Sequence, residues 1–373
     1  MSRTNQAGDD VAVAEPPTTR TAAATLTAGD RAALVESVRR LLADRYTEAD
    51  VRRIMDSDSG HDPALWRALA DLGVIGLTIA EEQGGAGLGP IELGLVMEEA
   101  GAALLPAPLL STTLAAALLD TAAAGSGLLA AIAGGDTIVT VAFAGRHDWT
   151  GRGDVSIAGG RISGTARFVT DAAIADTILV AGDDGVYAVA RGDATIAALP
   201  VFDRTRRMAD VTFHGPATRI GDAARIPAAL DLALVALAGE QAGGARRILD
   251  MTVDYARERH QFGRAIGSFQ AVKHMAADLL IEAESATSAA RDAARQLAER
   301  SAGADAAIAL AAFACADAFV RCAKDGIQLH GGIAFTWDHP AHLYLRRARS
   351  GAQLFGDGNH WRERYIRVLE TRA

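Results

Sequence analysis

Cysteine is scarce in this chain: only Cys315 and Cys322 occur among 373 residues. They lie in a strongly helical stretch, seven residues apart. That spacing puts them on similar faces about 10 Å apart along the axis, too far for an ordinary disulfide. Buried free thiols are expected, with no sign of an oxidising compartment or a zinc cluster. His339 and His342 have no further ligands at metal-binding spacing, so no metal site is expected. No uncharged run of about 18 residues has the hydropathy of a membrane helix. The Ala-rich run 112–133 comes nearest, but small residues and Gly interrupt it. The opening 25 residues carry acids and no continuous apolar segment, unlike a secretory signal. An excess of positive charge is also missing. The formal net charge is -9, which argues against a general nucleic-acid binder. A soluble, cytoplasmic protein is expected, with neither nucleic acid nor membrane as partner.

What is present is apolar bulk: 50% of the residues are hydrophobic and 22% charged. That is enough for one large core or two to three domains. Residues 1–25 are rich in Thr, Ala and Pro and read as a disordered tail. From 26 to 135 the pattern is helical. Thr27 and Asp30 resemble a capping box, and Leu34, Val35, Val38, Leu41 and Leu42 follow at helical spacing. A second helix closes at Gly73. Gly84, Gly85, Gly87 and Gly89 form a glycine-rich loop. It lacks the strand-turn-helix setting and the Lys-Ser/Thr pair of a phosphate loop, so a tight turn is expected. From 136 to 222 short β-prone runs alternate with Gly and Asp turns: "TIVTVAFAG", "DVSIAGG", "RISGTARFVTDA", "DTILVAGDDGVYAVA" and "DVTFHG". From 223 to 373 long helices return. Strands do not alternate with helices, which excludes a doubly wound sheet.

Three polar features interrupt the helical stretches. Arg257, Arg259, His260 and Arg264 surround Phe262-Gly263. Such a set can hold a phosphate beside a stacked ring, or it can be a solvated helix end. In "DGIQLHGGIAF", Gln328, His330, Gly331 and Gly332 make either an anion nest or a helix C-cap. The basic run Arg346, Arg347 and Arg349 reads as a solvated face or an interface. No Gly-x-Ser-x-Gly elbow is present.

Four stretches carry a resemblance. They are "LWRALADLGVIGLTIAEEQGGAGLG", "RISGTARFVTDAAIADTILV", "YARERHQFGRAIGSFQAVKHMAADL" and "QLHGGIAF". In this order and spacing the chain resembles the acyl-CoA dehydrogenases over nearly all its length after the tail. The resemblance implies an N-terminal all-helical domain, a small middle β domain and a C-terminal four-helix bundle. It implies FAD, an acyl-CoA substrate and an electron-transfer flavoprotein-like acceptor. The family desaturates the Cα–Cβ bond of an acyl-CoA: a carboxylate takes the α proton and the flavin takes a hydride. Arg259 and Phe262 match the pair that reaches a flavin bound mainly by the neighbouring subunit. Gln270 matches the following Gln. Gln328, Gly331 and Gly332 match the segment on the partner's pyrophosphate. Phe168 and Thr170 match the residues flanking the flavin ring.

The catalytic position departs. Phe355 precedes Gly356 where most members carry the Glu base, and Ala233 occupies the minority position for it. Glu240 lies seven residues further along the helix, too far to substitute. Asp357 is the alternative base if the chain is an active homomer. "VAFAGRHDWTGRGD" stands where the family's flavin-holding motif belongs. The chain is similar to the subunit without a base in actinobacterial α2β2 acyl-CoA dehydrogenases, notably those acting on sterol side-chain CoA thioesters. The resemblance therefore implies no catalytic residue in this chain, and a catalytic subunit as its partner.

Overall fold

The structure is a computed structural model that describes residues 26–119, 123–144 and 154–371. The expected tail at 1–25 and most of "VAFAGRHDWTGRGD" lie outside the described residues. The N-terminal part holds α1 (Ala28–Arg45), α2 (Glu48–Asp56), α3 (Pro63–Asp71), α4 (Pro90–Ala102), α5 (Leu109–Leu118) and α6 (Ala123–Ala133). The Thr27–Asp30 capping box starts α1 in both directions. Val38 and Leu42 are buried, whereas Leu34, Val35 and Leu41 are half-buried. Asp62 caps α3, Pro63 opens it, and Gly73 ends it at φ 76°. The glycine loop is a tight turn. Gly85 and Gly87 donate their amides to Ala80 O (3.1 Å) and Ile79 O (2.8 Å), so neither faces an anion. A Cβ on Gly85 would stand 2.1 Å from Ile79 O, so only glycine fits there.

The middle part holds β1 (Val139–Phe143), β2 (Asp154–Ala158), β3 (Arg161–Thr170), β4 (Thr177–Gly182), β5 (Gly185–Ala190), β6 (Ala194–Ala198), β7 (Met208–Phe213) and β8 (Thr218–Gly221). They form two four-stranded sheets, ordered β1-β4-β5-β8 and β2-β3-β7-β6. β1 and β4 pair in parallel. Both are buried nearly throughout, as their continuous apolar runs require. The second sheet is antiparallel, and β3 is irregular between Ala166 and Val169.

The C-terminal part holds α7 (Ile226–Glu258), a two-strand ribbon of β9 (His260–Gln261) and β10 (Arg264–Ala265), α8 (Gln270–Ala298), α9 (Ala304–His330), α10 (Ala341–Gly351) and α11 (Gly358–Glu370). The fold is that implied by the resemblance, with one refinement. Three long helices, α7 to α9, carry two short ones in place of a fourth long helix. The turn at Phe355-Gly356 divides that last stretch. The central α9 packs against α7, α8, α10 and α11. Cys315 and Cys322 are buried free thiols, and burial pushes both up to about 12. Among the described residues, the helix long and apolar enough to cross a membrane is not at 112–133 but at Ala304–Phe335; 61% of its apolar 18-residue window is buried within the protein. Among the described residues no group of three potential metal ligands occurs.

Candidate cofactor-presenting site and a filled cleft

The ribbon after α7 turns through Phe262 and Gly263. Both have positive φ, 54° and 76°, as a two-residue hairpin of primed type requires. Gly263 meets no steric cost there. Phe262 does, because an L side chain is disfavoured at positive φ. The strained backbone holds out a ring that is 91% exposed. An aromatic kept in solvent by an unfavourable backbone points to a binding role. Its edge meets Phe269 (centroids 6.2 Å apart), and Arg264 lies 3.9 Å over the Phe269 ring. Arg259 follows as the C-cap of α7. It is exposed, and its guanidinium engages no other side chain or carbonyl among the described residues. Gln270 opens α8 and is also exposed.

The end of α9 lies at the same end of the bundle, because Tyr255 of α7 packs on His330 with ring centroids 4.7 Å apart. Gln328 is exposed in the last turn. Of the two readings for the glycine pair, the C-cap holds at Gly331. Its φ is 68° and its amide donates to Gln328 O and Ile327 O. That amide is therefore taken, and the nest reading is corrected at this position. A Cβ on Gly331 or Gly332 would meet nothing within 4 Å, so the turn offers bare backbone to anything docking on it. A free cation, an exposed ring, amide side chains and a side-chain-free turn are thus gathered at one end. This donor set fits the pyrophosphate and adenosine half of a dinucleotide.

Phe168 and Thr170 are on the middle domain. Phe168 occupies the β3 irregularity at φ 56°, 63% exposed. Its amide donates to Asp210 Oδ1 (3.3 Å). The Thr170 carbonyl accepts from Thr140 Oγ1 at 2.5 Å.

Phe355 has φ 59° and packs against both apolar clusters of the protein. Ala233 is fully buried. Asp357 is the N-cap of α11: Oδ1 accepts the amides of Asn359 (3.0 Å) and His360 (2.9 Å). Its carboxylate is engaged as a cap on an exposed helix start.

A buried polar cluster lies where the three domains meet, and the sequence reading missed it. Arg347, expected on a solvated face or an interface, has a side chain only 3% exposed. Its Nη1 donates to Glu240 Oε1 (3.2 Å), its Nη2 to the carbonyls of Leu105 and Thr205 (3.1 Å each), and its Nε to Thr205 Oγ1 (3.0 Å). The same Nε is 3.1 Å from Asp203 Oδ2. Arg206 Nη2 donates to Glu240 Oε2 at 2.6 Å. Burial alone would raise the Glu240 carboxyl, but the two guanidiniums outweigh it and hold it below the usual range. Nearby Asp171 bonds Ser111 Oγ at 2.6 Å, and there burial dominates and raises the carboxyl. The residues 202–207 form a strap around this cluster. Arg204 pairs with Asp56 (2.7 Å), Arg207 donates to Ser57 O (2.6 Å), and Arg346 stacks over Phe202 (4.7 Å). What remains between Met97, Leu109, Asp171, Arg206 and Glu240 is a cavity of ≈ 10 Å³. That admits at most one water, whereas small-molecule pockets measure about 300–1,000 Å³.

Comparison with known proteins agrees with this architecture. Residues 29–126 match the family description "Acyl-CoA dehydrogenase, N-terminal domain", and residues 224–369 match "Acyl-CoA dehydrogenase, C-terminal domain". The chain is 37% identical over 328 residues to acyl-CoA dehydrogenase IpdE2 of Mycolicibacterium smegmatis, covering 88% of this chain and 94% of that one. Among solved structures it is 30% identical to a chain of the ChsE4-ChsE5 complex from Mycobacterium tuberculosis, with TM-score 0.84 over 93% of this chain and 98% of that one. A chain of the Tcur3481-Tcur3483 steroid ACAD is also 30% identical, with TM-score 0.83 over 92% and 98%.

Proposed function

The chain belongs to the acyl-CoA dehydrogenase family, and from that premise we propose that it is the accessory subunit of a heteromeric, FAD-dependent complex that desaturates a steroid-derived acyl-CoA. The observation that carries this reading is the filled cleft. Where three domains meet, buried ion pairs leave ≈ 10 Å³, too little for an acyl chain. The position of the base holds Phe355, which cannot take a proton. The cofactor-presenting end is kept. In this reading the catalytic partner binds substrate, supplies the carboxylate and holds most of the FAD.

This chain's residues act across the interface. Arg259 neutralises pyrophosphate charge, Phe262 packs beside the adenosine half, and Gln270 and Gln328 donate hydrogen bonds. Gly331 and Gly332 let the backbone approach closely. Bound FAD supplies the hydride acceptor that no side chain can replace. The relatives' names, a steroid ACAD and the two-component ChsE4-ChsE5 complex, support both the substrate class and the pairing. An α2β2 assembly in the cytoplasm, with electrons leaving to an electron-transfer flavoprotein-like carrier, completes the proposal. The alternative of an active homomer using Asp357 is disfavoured by that residue's role as helix cap.

The test is flavin stoichiometry. The chain is purified alone and with a catalytic subunit. Alone it is expected to be colourless; together they should retain a single flavin per unlike pair, and Arg259→Ala should weaken that retention. One flavin per chain in the protein alone, bleached by an acyl-CoA, would overturn the proposal.

A further inference from the structure

His330 has no place in the chemistry above, yet it is buried to 3% exposure immediately before the Gly331–Gly332 turn. Its Nδ1 lies 2.7 Å from Gly326 O, so that nitrogen carries the proton and donates. Nε2 is buried and makes no hydrogen bond of good geometry among the described residues, although the Met251 carbonyl lies near enough to favour the protonated ring. The ring is flanked by two others, Tyr255 of α7 (4.7 Å) and His339 (4.4 Å). Tyr255 is one helical turn before Arg259, whose amide donates to Tyr255 O at 2.8 Å. The three clustered rings, tilted against one another, therefore span the gap between the two segments that present donors.

We infer that His330 is a positioning residue: its ring ties the end of α7, which carries Arg259, to the end of α9, which carries Gln328 and the Gly331–Gly332 turn, and protonating it loosens that tie. The inference rests on the proposed flavin role of those segments. Linkage gives the sign. Burial lowers the His330 pKa more than the Gly326 and Met251 carbonyls raise it. A group harder to protonate when packed favours the unpacked form as pH falls through its free value, about 6.5. The neighbours do not reverse this. His339 is itself held low by burial and by His330; Glu48 of α2 opposes that while Arg52 adds to it. His342 is pushed down to about 4, first by burial and then by Arg346, Arg52 and His339, with Glu48 opposing. Tyr255 contributes its ring face.

The experiment titrates FAD into the heteromeric complex by flavin fluorescence between roughly pH 5 and 8, the range histidine governs. Wild-type affinity should fall on acidification. His330→Ala should weaken binding about tenfold at the upper end, the worth of a lost ring stack. His330→Phe keeps the stack without a titrating nitrogen. It should stay within about threefold of wild type there and lose the fall on acidification. Thermal melts of each variant chain alone check folding. If His330→Ala does not fold, the pH profiles of wild type and His330→Phe decide the matter. A His330→Ala complex that binds FAD like wild type, or a His330→Phe complex with the wild-type pH profile, overturns this inference alone. A wild-type complex without FAD at any pH overturns the proposed function as well.

Discussion

Replacing Glu240 with glutamine removes one charge from a balanced buried set: Arg206 and Arg347 against Glu240 and Asp203. The glutamine has nearly the same volume, so packing is kept. What changes is that Arg206, with a side chain 7% exposed, loses its ion-pair partner, while Arg347, 3% exposed, keeps Asp203. Breaking one partner out of a buried ion pair costs about 3–5 kcal/mol, because the remaining charge is left without water or counter-ion. For a 373-residue chain the unfolding entropy is about 0.8 kcal/mol per kelvin, so about 4 kcal/mol lowers the melting midpoint by about 5 °C. The double variant Arg206→Met/Glu240→Leu is the informative control. It deletes both charges, leaves Arg347 paired with Asp203 at 3.1 Å, and should lie within about 1–2 kcal/mol of the parent. Urea unfolding followed by circular dichroism measures both, with calorimetry for the midpoint. A Glu240→Gln cost below about 1 kcal/mol, or a double variant less stable than the single one, would refute the buried-charge argument.

Gly101→Ala should be nearly as damaging. A Cβ there would stand 1.9 Å from Glu240 O, so α4 must move off α7, and urea unfolding should show a loss of about 3 kcal/mol. Acid should destabilise the chain below about pH 6.5, because histidines held low in the fold take up protons on unfolding. His342, pushed down to about 4, contributes roughly 1 kcal/mol between pH 6.5 and 5 after halving for its partial exposure; His342→Gln should remove that share in urea melts at the two pH values. Cys315 and Cys322, with thiols pushed up to about 12, should resist an aromatic disulfide reagent in the native protein and react once urea unfolds it.

What the sequence disclosed follows the reach of local patterns. The cap at Gly331 and the longer strands are each specified within a dozen residues, so spacing and turn chemistry find them; the hairpin at Phe262-Gly263, which reads as a phosphate site or a helix end, is not foreseen. β6 and β8 escaped because "ATIAA" and "TRIG" are short and mostly exposed, with weak alternation. Phe269, Val272, Met275 and Ala276 have the spacing of a core face but are only half-buried; full burial on α8 begins at Leu279. The charged cluster was beyond local reading for another reason. Asp203, Glu240 and Arg347 come from three separate segments, and each alone resembles an ordinary surface charge. An acid among the apolar residues of "ALVALAGEQAGG" was the one visible hint that a buried cation would meet it.

The strap and its ion pairs also constrain what this lineage can become. Placing a carboxylate at 355 would set it in a packed turn, where the cavity lined by Leu354 and Gly356 measures only ≈ 10 Å³. Opening the separate junction around Arg206, Glu240 and Arg347 would strand buried charges and weaken the fold. In the proposed accessory role, neither change alone would make the chain self-sufficient. On that same proposal, dependence on another polypeptide is held in place by the stability of the chain itself.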